Sequence, residues 1–111
     1  MSARTLSIQK CASYEQIKVK EAIIKLLEPL GGIKAFVRSG NKVLIKPNML
    51  TCKEPERAAT THPAVIEAVA SLCHEAGATV LIGDSPPAVF GRTEEFWEKT
   101  GFAAAARNSG A

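Results

Sequence analysis

Lys42-Val43-Leu44-Ile45-Lys46-Pro47-Asn48 joins the pattern of a buried strand to an abrupt stop, and the rest of the predicted fold is built around this segment. The unbroken apolar run at Val43–Ile45 is typical of a strand covered on both faces, as in a parallel sheet. Pro47 has no backbone N–H to donate, so it ends the strand. A similar run at Thr79–Ile82 predicts a second buried strand that lies beside the first.

Helical patterns flank these two strands. The apolar period at Tyr14–Leu30 predicts a helix that ends at Pro29 and at the Gly31-Gly32 pair. His62–Ala76 predicts another helix, with Pro63 in its first turn. Its core stripe is expected to be Val65, Val69, Leu72 and Ala76. The region between the 43–45 strand and this helix is polar and is predicted to be a long loop.

Three shorter elements complete the predicted order. Leu6 and Ile8 alternate with polar residues, so Thr5–Cys11 is predicted to be a strand. A short helix capped by Thr93 closes at Gly101, and one further helix covers Phe102–Arg107. The resulting order is β-α-β-α-β-α-α.

This alternation predicts an α/β fold, with a three-layer, mostly parallel sheet joined by right-handed crossovers. Residues 1–111 are expected to form a single domain. Three strands leave two open sheet edges, which natural proteins normally cover or extend. We therefore expect the chain to be the N-terminal fragment of a longer protein, an incomplete part of a larger doubly wound domain, or a chain that completes its sheet with another copy.

Composition narrows the class of protein. The chain has 111 residues, of which 46% are hydrophobic and 23% charged, as in one globular domain. No apolar run approaches the roughly 18 residues of a membrane span, and no signal peptide begins the chain, so we expect a cytoplasmic protein with no membrane partner. The net charge of +3 divides into +6 over residues 1–50 and −3 over 51–111. The basic residues are scattered and aromatics make up 5%, so no nucleic-acid partner is expected.

The cysteines exclude several cofactor sites. Cys11, Cys52 and Cys73 contain no C-x-x-C spacing, so neither a zinc site nor an iron–sulfur cluster can be built from this chain alone. Cys73 is expected to pack in a helix as a small hydrophobic residue. Dinucleotide, P-loop, serine-hydrolase and zincin motifs are also absent from the sequence.

Polar residues gather where the predicted strands end. The carboxyl ends of parallel strands share one edge of a sheet, and the helix that follows begins at that edge, so these residues are expected to meet there. Helix N-termini and a lysine favour an anion such as a carboxylate or phosphate. The predicted ligand-binding residues are Lys46, Asn48, Thr61, His62, Asp84 and Ser85.

Each of these residues also has a structural interpretation. Lys46 fits a side chain that extends from a strand end into water, and Asn48 fits a turn. Thr61 is typical of a helix cap, and His62 of a surface residue at a helix start. Asp84 suits a metal ligand or general base, and equally a turn ahead of a proline. Arg92 could reach an anion from the next loop, although a solvated arginine is the favoured interpretation.

Four motifs together resemble the domain of unknown function 362 family of prokaryotic proteins. In chain order they are Lys42-Val43-Leu44-Ile45-Lys46-Pro47-Asn48, Ala59-Thr60-Thr61-His62-Pro63, Glu75-Ala76-Gly77-Ala78 and Ile82-Gly83-Asp84-Ser85-Pro86. The resemblance implies an α/β domain within a longer protein. It also implies an association with iron–sulfur proteins, since many relatives carry ferredoxin-like cysteine motifs. This chain has none, so any cluster is expected only in a region beyond Ala111.

Three functions fit these observations. The first is a domain that binds a small anionic ligand at the sheet edge, as part of a redox or iron–sulfur associated protein. The second is a structural or interaction module, in which the strand edges and an aromatic group pack against a missing C-terminal domain or a partner copy. That group is Phe90, Phe96, Trp97 and Phe102. The third is a metal-dependent enzyme based on Asp84 and His62, and enzymatic activity is left open.

Overall fold

Two short parallel strands and four helices form the architecture of the described residues. The computed structural model describes residues 4–86 and 91–111. The elements are helix α1 (Gln16–Leu27), strand β1 (Lys42–Ile45), helix α2 (Pro63–Glu75), strand β2 (Thr79–Ile82), helix α3 (Thr93–Lys99) and helix α4 (Phe102–Ser109). Single 3₁₀ turns cover Glu28–Leu30, Ile33–Ala35 and Pro55–Arg57. The α/β class is confirmed.

Both predicted buried strands form, and they pair in parallel. Val43 lies opposite Val80, and Ile45 lies opposite Ile82. These four side chains point toward the helices. Val80 belongs to a buried core, and Val43, Ile45 and Ile82 pack against that core. The other core residues are Val37, Ala70, Cys73 and Ala78. Cys73 is buried, as predicted.

The other face of the sheet is open within the described residues. Leu44 and Leu81 are paired in register and are 64% and 54% exposed. The apolar run therefore alternates in burial, although its sequence predicted cover on both faces. The three-layer arrangement is not confirmed, because in the described part of the chain helices cover one face only.

The predicted first strand is wrong. Thr5–Cys11 has no regular secondary structure, and Leu6 and Ile8 are 83% and 84% exposed. Alternation shows only that a segment could bury one face in a sheet, and no strand pairs with this segment within residues 4–86 and 91–111. The observed order is thus α-β-α-β-α-α.

The helices begin and end close to their predicted positions. α1 starts at Gln16 rather than Tyr14, and its last predicted residues form the 3₁₀ turn that contains Pro29. α2 agrees with its prediction within one residue at each end. Thr93 is the first residue of α3 rather than its cap, and α4 continues to Ser109.

α2 is the centre of the molecule, because it contacts α1, the sheet and α4. The predicted core stripe covers only one side of α2, whereas the helix is contacted on several sides. Val65 packs toward α1 and Val69 toward the sheet, and both are only partly buried. The buried positions spread around the helix, at Ala64, Ile66, Ala68, Ala70, Leu72 and Cys73. Small alanines let neighbouring elements approach the helix on several sides.

A second core cluster lies between α2, α3 and α4. Phe102 is fully buried with Met49, Ile66, Phe96 and Ala105. The interaction-module hypothesis places Phe96 and Phe102 against a missing domain or a partner chain, but both fill the core of this chain instead. Trp97 meets the Phe102 ring edge-on, with 6.0 Å between centroids. Phe90 lies outside the described residues.

Candidate functional site

The parallel register brings the ends of β1 and β2 to one edge of the sheet. Ile45 and Ile82 are the last paired residues, and Gly83 N donates to Ile45 O at 3.0 Å. The next residues of each chain segment are therefore side by side. Lys46 and Asp84 meet at this edge, as the strand pattern predicted.

Asp84 ties the two strand ends together. Its carboxylate accepts hydrogen bonds from Lys46 Nζ and, at 2.9 Å, from Met49 N. The Asp84 side chain is only 6% exposed, whereas that of Lys46 is 67% exposed. The hydrogen bond from Lys46, followed by that from Met49 N, holds the pKa of Asp84 below its ordinary value. Asp84 is therefore an ionised anchor for a lysine that still reaches solvent.

Asn48 and Thr61 form a reciprocal bridge across the base of the long loop. Asn48 N donates to Thr61 Oγ1 at 3.0 Å, and Thr61 N donates to Asn48 O at 2.9 Å. The bridge brings the loop back beside the end of β1 before α2 begins. Thr61 thus holds the loop closed, and the predicted role of Thr61 as a helix cap is wrong.

His62 is the residue that caps α2. Its Nδ1 accepts a hydrogen bond from Ala64 N at 3.2 Å. A neutral imidazole that accepts at Nδ1 carries its hydrogen on Nε2, which is therefore a donor. Partial burial lowers the pKa of His62 below its ordinary value, and the negative charge of Glu56 opposes this effect. The imidazole is thus favoured in the neutral form that the cap requires.

Tyr14 is a neighbour of this site that the sequence did not reveal. Its ring stacks on His62 with centroids 3.6 Å apart and an interplanar angle of 8°. Tyr14 lies two residues before the start of α1 and is far from His62 along the chain, so no local period connects them. An aromatic residue beside a helix start is the only signal that could have suggested a contact.

The first turn of α2 has fewer free donors than predicted. Pro63 has no backbone N–H, Ala64 N is bonded to His62 Nδ1, and Val65 N donates to His62 O at 3.0 Å. An anion at this edge would consequently depend on side chains. Ser85 is exposed, and its hydroxyl forms no hydrogen bond among the described residues.

Arg92 does not join this group. Its guanidinium makes two hydrogen bonds of 2.7 Å to Glu95 in the same helical segment, and it lies 6.0 Å from the Phe96 ring centroid. Asp84 and His62 also have no third partner for a metal, since residues 4–86 and 91–111 contain no group of three His, Cys, Asp or Glu that could hold one.

The sequence matches a known family over most of its length. The family described as "Domain of unknown function (DUF362)" matches residues 43–111, which include β1 from its second residue onward, all of β2 and all six predicted site residues. The chain belongs to this family. The resemblance of the Lys42–Asn48 motif and the motifs after it is thereby confirmed.

One curated protein that is similar to this DUF362 chain is the thylakoid-associated protein sll1697 of Synechocystis sp.. It is 41% identical over 99 residues, which are 89% of this chain and 30% of the relative. The chain therefore spans less than a third of that protein's length. No solved structure matches the chain significantly. In the described part of the chain, no helix is both long and apolar enough to cross a bilayer.

Proposed function

We propose that the carboxyl edge of the sheet binds a small anionic ligand. The observation that carries this proposal is the anchoring of Lys46 by a buried carboxylate, because one carboxylate bond leaves the ammonium two further N–H donors. Four neutral donors adjoin the strand ends and the α2 start. They are the Asn48 amide, the Thr61 and Ser85 hydroxyls and His62 Nε2.

The charge balance of this edge favours a small ligand held by several hydrogen bonds. Asp84 offsets much of the charge of Lys46, so the edge does not attract anions through excess positive charge. A carboxylate or phosphate would instead meet a lysine held in place by its partner, with neutral donors around it. A redox or iron–sulfur role and a cytoplasmic location remain predictions about the whole protein.

The test is a titration with inorganic phosphate and with citrate, followed by amide chemical shifts. We expect saturable shifts at Asn48, Thr61 and Ser85, because their donors face the ligand. Asn48→Ala and Ser85→Ala leave the Lys46–Asp84 pair intact and should each weaken binding several-fold. Lys46→Ala should weaken it about tenfold, which corresponds to one charge-assisted hydrogen bond.

Lys42→Ala is the matched control, because Lys42 is an exposed lysine at the opposite end of the same strand. It should leave the affinity unchanged. Equal affinities in the Lys46 and Lys42 variants, with both proteins folded by thermal melting, would reject this edge as the binding site.

We propose an interaction module as the second candidate, because the open face of the sheet favours it. Leu44 and Leu81 lie side by side on that face and are exposed. An exposed apolar patch on a protein surface often marks a site of contact with another domain or protein. A missing domain or a second copy would cover them. Self-association should then appear in light scattering of the 111-residue chain and should be lost in Leu81→Lys. A monomer at all concentrations with a cooperative melt argues against the second copy.

A further inference from the structure

The N-terminal segment, residues 4–15, is held to the rest of the protein by few contacts. Among residues 4–86 and 91–111, its side-chain hydrogen bonds join residues at most two positions apart, such as Cys11 Sγ to Ser13 O. The stack of Tyr14 on His62, the residue that caps α2, is its one aromatic contact among the described residues. A segment with so few long-range bonds can shift at low cost in free energy.

A cavity of about 390 Å³ lies between this segment and the helices. Its inner wall is apolar and consists of Val19, Ile23 and Leu26 from α1 and Val65 from α2. Small-molecule sites typically measure about 300–1,000 Å³ and have mostly apolar walls. This cavity therefore has the size and lining of a ligand site, at a location separate from the Lys46 edge.

A lysine-lined recess adjoins the cavity. The recess measures about 160 Å³ and is lined by Lys10, Lys18 and Lys25, and Glu21 is the one acidic residue among its described lining residues. Within residues 4–86 and 91–111, none of the three lysines forms an ion pair, although Lys20 on the same helix pairs with Glu75. The recess thus has a net charge of +2 and unused donors.

The cavity and the recess are two parts of one depression. They share the wall residues Gln9, Cys11, Ala12 and Ala22, so an apolar interior opens directly beside a cationic rim. Burial of an apolar chain would provide affinity, and the lysines would orient a negative head group. This pairing of surfaces is complementary to a ligand that has both parts.

We propose that this depression binds a single-chain amphipathic anion, such as a fatty carboxylate, with its chain in the 390 Å³ cavity and its head group on Lys10, Lys18 and Lys25. The N-terminal segment lies over the chain and forms the outer wall of the site. This site is independent of the Lys46 edge, so either proposal can fail without the other.

The experiment uses dodecanoate below its critical micelle concentration, with binding followed by calorimetry and amide chemical shifts. Dodecanoate should bind saturably at one site and shift the amides of Ala22, Ile23 and Val65. Acetate has the head group alone and should produce no saturable shift at the same concentrations. Dodecyl maltoside has the chain without the charge and should bind at least tenfold more weakly.

Variants separate the two parts of the site. The double substitution Lys18→Gln/Lys25→Gln removes two exposed charges and should weaken dodecanoate binding at least tenfold. Ala22→Phe places a ring at the shared wall and should abolish binding while the charges stay. Lys34→Gln/Lys42→Gln is the matched control with the same charge change elsewhere, and it should bind like the unmodified protein, as should Lys46→Ala.

Three results would overturn the proposal. One is equal affinity in the Lys18/Lys25 and Lys34/Lys42 double variants, and another is unshifted Ala22 and Val65 amides at saturation. The third is binding to vesicles of anionic phospholipid without binding of monomeric dodecanoate. That result would indicate a membrane surface as the partner instead of a single ligand.

Discussion

Phe102→Ala is expected to lower the free energy of unfolding by about 3–5 kcal/mol, the range found when a large core aromatic is truncated. Phe102 has no exposed surface and packs with Met49, Ile66, Phe96 and Ala105. The substitution leaves a cavity where the long loop, α2 and the last two helices meet. The loss of stability is the sum of two free energies, one for the transfer of the ring from the core to water and one for the cavity that it leaves.

The measurement is urea unfolding followed by the fluorescence of Trp97, the single tryptophan, whose ring meets Phe102 edge-on. Phe36→Ala is the matched control, because Phe36 is 60% exposed and loses the same atoms. Its effect should be within about 0.5–1 kcal/mol of zero. Similar losses in the two variants would contradict the position of Phe102 in the core.

Asp84→Asn is expected to lower the free energy of unfolding by about 2–3 kcal/mol at neutral pH, because hydrogen bonds to a charged group contribute about 1.5–3 kcal/mol. Asp84 accepts from Lys46 Nζ and from Met49 N, and Met49 is itself buried. An amide keeps the shape of the side chain but presents a donor to one of these partners. The exposed pair between Lys20 and Glu75 provides a control, since Glu75→Gln should cost no more than about 1 kcal/mol.

The stability difference between the unmodified protein and Asp84→Asn should depend on pH in one direction. The pKa of Asp84 is lower in the folded protein than its ordinary value, mainly because of the bond from Lys46. Its contribution is therefore fully present above the unfolded pKa, about 3.9, and is lost as the pH falls through the folded pKa. Urea unfolding from pH 7 to pH 3 should show a constant difference that shrinks below about pH 4. Parallel curves over the whole range would refute the role of the carboxylate.

The parts of the fold that the sequence predicted well are those with local signals. The apolar runs located both strands, and Pro63 indicated the start of α2 within one residue. The predicted strand at Thr5–Cys11 does not form because a strand needs a neighbouring strand to pair with. The alternation of Leu6 and Ile8 with polar residues contains no information about such a neighbour. The prediction that both faces of the sheet are covered was not confirmed for a similar reason, since an apolar run does not indicate which elements cover it.

The sequence predicted which residues of the site lie close together, but it did not predict their individual hydrogen bonds and contacts. Two parallel strands must end at the same edge, so the approach of Lys46 to Asp84 followed from the strands alone. The individual partners of these side chains depend on tertiary structure. Asp84 accepts a hydrogen bond from Met49 N, 35 residues away in the sequence, and Tyr14 stacks on His62 from another segment. No pattern within one helix or strand relates such pairs.

The reciprocal bridge between Asn48 and Thr61 has a consequence for protein engineering. It joins the two ends of the long loop that contains the Pro55–Arg57 turn, so residues 48 and 61 are held together independently of contacts at the middle of the loop. Lys53 and Glu54 are exposed near its tip. A peptide inserted between Lys53 and Glu54 would lengthen the loop without removing either hydrogen bond of the bridge, and the ion pair of Glu54 with Lys99 is the contact most exposed to the change.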